Sequence, residues 1–261
     1  MAYTKIKQRF QSRACLAAAV LVFASAAIAQ TTTSVTLTGT GDNATLGEVY
    51  VDPYTATVGG LANTTVICDD WSNNSYVDES WMAAVINAAT VGSSGDGPMF
   101  GNNQTLYNEL AWLGSQLLAN PTNATTQTEV SFAMWDLTYG VNNTAEESPG
   151  PFNYLCSTLG GTYSSSGNAC SGLTSASTTE YQGALNFYST AQSSETNYNA
   201  AGWEILTPTG DGYVSGTNMG VPQEFLVYTP EPPGVILFAA DMLGLMSLGF
   251  LFRRRLLRPI R

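Results

Sequence analysis

The chemistry open to this chain is set by where its charged residues fall. All nine Lys and Arg lie near the ends: Lys5, Lys7, Arg9 and Arg13 at one, Arg253, Arg254, Arg255, Arg258 and Arg261 at the other. There is no His, and all 20 Asp and Glu lie between Gln30 and Phe252. The middle of the chain therefore cannot assemble a Ser-His-Asp or Cys-His relay, nor form a Lys Schiff base. His-ligated zinc is excluded. No cationic side chain is present there to neutralise phosphate, which disfavours nucleic acid, nucleotides and anionic lipid. Two options remain: a carboxylate pair working on a glycoside, or a hard cation such as Ca²⁺ on oxygen ligands. Asp69-Asp70, Asp78-Glu79, Glu146-Glu147 and Asp211 are the candidates for either, set against the simpler role of solvated turn residues. No segment carries the Asp-x-Asp-x-Asp-Gly spacing of a calcium loop. Trp71, Trp81, Trp112, Trp135 and Trp203 can stack on sugar rings or fill a core, and their apolar settings favour the core.

Three cysteines follow the N-terminal segment that holds Cys15. Cys156 and Cys170 enclose a Gly/Ser-rich loop and are expected to form a disulfide in an oxidising compartment. Closing a loop of about 15 residues contributes around 3 kcal/mol in the entropic account. Cys68 is left over, and its simplest role is that of a small buried hydrophobe.

The two ends read as addresses. Residues 1–29 have a basic start, an apolar run from Cys15 to Ile28 and the small-x-small site Ala27-Ile28-Ala29, the layout of a secretory signal peptide. Mature chain is expected from Gln30. At the other end Pro230-Glu231-Pro232-Pro233 stays extended with its backbone unpaired, a form a processing protease can grip. An apolar run from Val235 to Phe252 follows. As a helix of about 18 residues it spans roughly 27 Å, enough for a thin hydrocarbon core. Asp241 inside it is costly at mid-membrane, by about 2.5 to 3.5 kcal/mol. Arg253, Arg254 and Arg255 then hold the C-terminus on the cytoplasmic side.

This tripartite tail resembles the PEP-CTERM sorting signal of Gram-negative bacteria, with Pro230, Glu231 and Pro232 as the sorting motif and Arg253, Arg254 and Arg255 as the membrane stop. The resemblance implies recognition by an exosortase, a membrane-embedded cysteine protease-transpeptidase, and delivery to the cell surface. An ordinary single-pass anchor with a Pro-rich stalk is the alternative.

The middle must then fold as one domain, 30–229. Ser34–Thr40, Glu48–Tyr54, Thr64–Cys68, Glu79–Asn87, Glu204–Thr207 and Gln223–Tyr228 read as strands, with Gly59-Gly60 as a turn. Leu106, Leu110, Leu113 and Leu117 mark a helix from Gln104 to Ala119, stopped by Pro121. Thr126-Gln127-Thr128-Glu129 reads as a capping box opening a second helix, with Val130, Ala133, Met134 and Leu137 buried, and the pair as a helical hairpin. Ser177-Thr178-Thr179-Glu180 reads as another, opening a helix with Tyr181, Ala184, Leu185, Tyr188 and Ala191. The stretch 142–151 reads as turns. The expected class is α+β: a β-rich sandwich or barrel-like body with an inserted helical hairpin, flanked by a signal helix and a C-terminal transmembrane helix.

Ile67-Cys68-Asp69-Asp70 and Val130-Ser131-Phe132-Ala133-Met134-Trp135 together resemble the thioester domains of bacterial surface adhesins. There a Cys bonds to a Gln in a Thr-Gln-x-Ala-aliphatic-Trp stretch. Here Ser131 stands where that Gln is expected, and Gln127 lies one turn earlier. The resemblance implies a β-rich body with a helical insertion, and the Ser argues against covalent adhesion.

The reading that combines these features is an exported, non-enzymatic surface or extracellular-matrix protein. It needs no cofactor or metal, is processed by an exosortase at the inner membrane, and associates with exopolysaccharide. The alternatives are a secreted carboxylate-based glycan-active enzyme and a Ca²⁺-dependent adhesive module.

Overall fold

Threonine-rich segments with every second residue apolar give the strands of one barrel. In the computed structural model, which describes residues 31–41, 44–92, 97–142, 150–194, 198–210 and 220–229, ten strands and four helices are present. The signal segment lies outside the described residues. So do Pro230, Glu231 and Pro232, the apolar run 235–252, and Arg253, Arg254 and Arg255. Among the described residues no helix is long and apolar enough to cross a membrane. The elements below belong to the compact unit Thr32–Arg261, apart from the first residue of β1.

The fold is α+β with a closed six-stranded antiparallel barrel, in the order β1 (Thr31–Gly39), β4 (Tyr54–Val58), β5 (Leu61–Cys68), β10 (Phe225–Tyr228), β9 (Trp203–Pro208), β6 (Ser80–Asn87). Gly59 and Gly60, both at positive φ, make the two-residue turn between β4 and β5, where Val58 pairs with Leu61. Such a turn needs two left-handed residues, which glycine supplies without steric cost. Closure between β1 and the start of β6 is carried by the Leu37 amide donating to Glu79 O, the Asp78 amide donating to Leu37 O, and the Thr36 and Ser80 hydroxyls at 2.6 Å. Alternation sends Val35, Leu37, Val66, Trp81, Phe225 and Val227 inward, where Trp81 stacks on Phe225 with ring centroids 5.8 Å apart. The loop expected between Cys156 and Cys170 holds a short hairpin, Thr162–Ser164 with Ala169–Ser171, and expected and observed barrel strands agree except near residue 50. There Thr45–Leu46 (β2) and Val49–Tyr50 (β3) form a separate small hairpin, and Tyr54 starts β4. Pro53 has no amide for a ladder, which separates the two.

All four helices are inserted between β6 and β9, which are barrel neighbours. They are α1 (Gln104–Ala119), α2 (Ala124–Asn142), α3 (Pro151–Thr158) and α4 (Ser175–Ser194). The insertion is thus a four-helix layer rather than the expected hairpin. Neither capping box forms. Asn123 Oδ1 accepts the Thr126 amide at 3.2 Å, so α2 starts at Ala124, and Thr174 Oγ1 accepts the Ser177 amide at 3.3 Å, so α4 starts at Ser175. In both cases an equally good cap stands three residues earlier and captures the helix start. The stretch read as turns holds the end of α2, and the next helix opens directly at Pro151. Pro151 occupies the first position of α3, where a missing amide costs nothing.

The apolar leucines of α1 and Val130, Ala133, Met134 and Leu137 of α2 cover the outer face of the barrel at Ile67, Ile86, Ile205 and Leu226. The opposite side of α2, Phe132 and Trp135, packs with Phe152 and Leu155 of α3 and Tyr181 and Ala184 of α4. α2 is therefore buried on both sides. The disulfide Cys156–Cys170 is formed, with Cα atoms 5.7 Å apart, and joins α3 to the hairpin strand β8 (Ala169–Ser171), which pairs with β7 (Thr162–Ser164).

Gly114 in α1 fixes how closely that helix approaches the barrel: a Cβ there would lie 2.6 Å from the ring of the buried Trp203. Gly→Ala in a helix interior normally stabilises by about 1 kcal/mol. Here Gly114→Ala is expected to destabilise by about 1–3 kcal/mol, because the ring has no space to retreat into. Urea unfolding of the two proteins checks the sign.

Candidate functional site

A surface cleft of about 440 Å³ opens where β5 ends, between the β2–β3 hairpin and helices α2 and α3. Its wall is aromatic: Tyr50, Trp71, Tyr76, Trp135 and Tyr154. Its polar groups are Glu48, Asp70, Asn73, Asn74, Ser75 and Gln223. Trp71 is half-buried and held by three rings, with centroids 5.4 Å away at Trp135, 5.9 Å at Phe132 and 5.3 Å at Tyr154. Tyr154 lies parallel to Phe132 and its hydroxyl accepts the Glu48 amide at 3.2 Å, which ties the hairpin to α3. Tyr50 and Tyr76 stand exposed at the rim.

The loop after β5 is shaped by Asp70. Its Oδ1 accepts the Ser72 and Asn73 amides at 2.8 and 3.3 Å, and its Oδ2 accepts the Asn73 side-chain amide at 2.7 Å. This is the local Asx-type turn that Asp and Asn favour. The Gln223 side chain donates to Asp70 O at 2.7 Å, and the Gln223 amide donates to the Ser75 hydroxyl at 3.0 Å. Both carboxyl oxygens of Asp70 are thus spent on the loop. Burial nonetheless raises its pKa, with these donors opposing.

The stretches 67–70 and 130–135 lie against each other. Three side chains of α2 at positions i, i+4 and i+7 donate to carbonyls of the barrel side: Ser131 to Val51 O at 2.7 Å, Trp135 Nε1 to Cys68 O at 3.0 Å, and Thr138 to Asp69 O at 2.6 Å. Ser131, at the position expected to hold Gln, is a docking hydroxyl. Gln127 is directed elsewhere, its side chain donating to Pro121 O at 2.6 Å. Cys68 is buried inside the barrel, its thiol 3.3 Å from Asp70 O. Burial first, and the Asp70 charge second, raise its pKa, so it stays a thiol and is a poor nucleophile.

Beneath the cleft lies a buried carboxyl pair that sequence reasoning missed in part. Asp69 was a candidate; Glu224 was hidden within the expected strand Gln223–Tyr228, and lies just before the observed one, Phe225–Tyr228. Phe225 pairs with Cys68 on one side and Leu206 on the other, so the next residue, Glu224, falls between Asp69 and Thr207 on the helix-covered face. Glu224 Oε1 accepts the Tyr107 hydroxyl at 2.6 Å, and Oε2 accepts the Met99 amide at 2.7 Å and the Thr207 hydroxyl. Its pKa is pushed up to about 7 by burial, against the pull of those donors. Asp69 is fully buried, and neither of its carboxyl oxygens has a hydrogen-bond partner among the described residues. Burial, then the charges of Glu224 and Asp70, raise its pKa well above the carboxylate range. With three donors aimed at Glu224 and none at Asp69, Asp69 is the member that keeps its proton.

Of the other sequence candidates, Asp78 is exposed in a left-handed turn and Glu79 is buried beside β1, apart from the cleft. Glu146, Glu147 and Asp211 lie outside the described residues. Among the described residues no group of three or more Cys, Asp or Glu is placed to hold a metal ion. Trp81 and Trp203 are core residues and Trp112 packs partly buried against the core, as their settings suggested; Trp135 is buried yet backs the cleft, and Trp71 lines it. No protein-family model matches the chain, and neither a curated protein nor a solved structure matches it.

The buried pair has a pH signature. Both carboxyls bind protons more readily folded than unfolded. The folded protein therefore holds more protons from about pH 4, the ordinary carboxyl range, up to about 7 for Glu224. Stability contributed by these groups is present below the unfolded value and is lost as pH rises through that window. Asp69→Asn is expected to remove part of this slope and to raise stability at pH 7 by about 1 kcal/mol or more. Melting temperatures of both proteins from pH 4 to 7 check it: the gap between variant and wild type should widen with pH.

Proposed function

We propose that this is an exported surface or matrix protein, processed by an exosortase at Pro230-Glu231-Pro232, whose folded domain associates with exopolysaccharide through the Trp71 cleft. The observation that carries the binding role is the pairing of held aromatic faces with neutral amides and hydroxyls. Sugar rings present C–H faces that stack on aromatic rings, and hydroxyls that bond to amides. The cleft volume lies in the range of ordinary ligand sites. A binding role is favoured over hydrolysis because the deepest carboxylate in the cleft, Asp70, already accepts three hydrogen bonds from its own loop. The sorting role rests on the tail's resemblance and on the confinement of every Lys and Arg to the two ends.

Trp71→Ala is expected to weaken polysaccharide binding at least about tenfold, the equivalent of 1.4 kcal/mol. Tyr76→Ala, at an exposed rim position that the fold does not depend on, should weaken it in the same direction. Affinity electrophoresis through gels cast with exopolysaccharide measures both, and unchanged mobility shifts in both variants would count against the cleft. For sorting, the exported protein should be recovered without Arg253, Arg254 and Arg255, cut near Pro230-Glu231-Pro232. An intact Arg261 by mass spectrometry would favour a permanent anchor.

A further inference from the structure

We infer that the cleft takes an uncharged polysaccharide and excludes acidic ones, such as uronate or sulfated chains. The inference deepens the glycan-binding reading above and rests on it. It follows from which charges face the cleft and which are free to pair. Glu48 stands exposed at its edge and Asp70 lies in its wall, and no Lys, Arg or His occurs between Gln30 and Phe252 to offset them. An acidic polymer entering the cleft would meet like charge and find no cationic partner. Repulsion of this kind acts over the Debye length, about 10 Å at 0.1 M salt, which reaches across a cleft of this size.

The same groups do not make the site a trap for cationic amino sugars. Asp70 is internally satisfied by Ser72 and Asn73, so an ammonium group would have to displace those bonds. Apart from Glu48 at the edge, the rest of the polar and aromatic lining is neutral: the rings of Trp71, Tyr50 and Tyr76, and the side chains of Asn73, Asn74 and Ser75. Trp71 is also fixed before any ligand arrives, by Phe132, Trp135 and Tyr154. A held ring loses little freedom on binding, which suits a neutral chain that offers contact area and no charge.

The test uses the full chain in detergent and three soluble polymers of matched length: a neutral β-glucan, polygalacturonate and chitosan, titrated at 0.05 M and 1 M salt. The neutral glucan is expected to bind equally at both salt concentrations and to lose affinity in Tyr76→Ala. Polygalacturonate is expected to bind at least about tenfold more weakly at low salt, with the gap narrowing at 1 M as repulsion is screened. Polygalacturonate binding as well as glucan at low salt would overturn the selectivity and leave the glycan reading standing. Chitosan binding tightest, and weakening with salt, would overturn it in favour of charge pairing. Glucan binding unaffected by Tyr76→Ala would remove the cleft as the site. If none of the three polymers binds, the glycan-binding reading fails, and this inference with it.

Discussion

The structure depends on α2 being bonded to the barrel through its side chains. A sheet that curls into a barrel leaves carbonyls at strand ends with no ladder partner, and burying them unpaired is expensive. Cys68 and Asp69 at the end of β5, and Val51 just after the small β2–β3 hairpin, each present a carbonyl to α2, and Ser131, Trp135 and Thr138 answer them from one stripe of the helix. The spacing i, i+4, i+7 places three donors on one face. Helix and barrel are thus held in a single register, with the apolar faces packed around the bonds. The cleft is a consequence of that register. Trp135, which bonds Cys68 O, is also one of the rings that hold Trp71.

A second constraint is the absence of cationic side chains from the domain. Each buried acid must be stabilised by amides and hydroxyls or give up its charge. Both solutions appear. Asp70 and Glu224 each collect three donors. Among the described residues Asp69 collects none for its carboxyl, and burial raises it well above its ordinary pKa. Asp136 takes an intermediate course: the Phe152 amide at the start of α3 donates to it, and burial pushes it up to about 6. In such a domain acidity and burial are coupled throughout, since no internal cation can decouple them.

Strand and helix identities were legible because they rest on periodicity. The alternation at Val35 and Leu37 and the leucine repeat of α1 each have one packing solution. Helix starts were less legible because Asn123 and Thr174 compete as caps with Thr126 and Ser177, and local sequence ranks them alike. α3 carried readable signals, Pro151 at its first position and Phe152, Leu155 and Cys156 at helical spacing. The polar run before it carries turn residues that mask the helix start. Barrel closure and the four-helix extent of the insertion were not legible. Both depend on pairings between residues far apart in sequence, such as Leu37 with Glu79 at the closing seam and Phe225 with Cys68. The cleft was half legible. Its residue types were visible as a surplus of aromatic and amide side chains, but nothing local distinguishes Trp71, which lines it, from Trp81, which fills the barrel.

That last distinction has a physical origin in chain direction. Trp81 sits within β6, where alternation points it at Phe225. Trp71 comes three residues after β5 ends, where the pleat no longer dictates which way a side chain faces. Its direction is decided by the loop that Asp70 ties and by the rings that α2 and α3 supply. An aromatic residue released from a strand and recaptured by other rings keeps one face toward solvent while remaining immobile. This combination, exposed area without rotational freedom, separates a recognition surface from a stray exposed hydrophobe. Here two of the three holding rings, Phe132 and Trp135, come from α2, the helix that also donates to the Val51, Cys68 and Asp69 carbonyls.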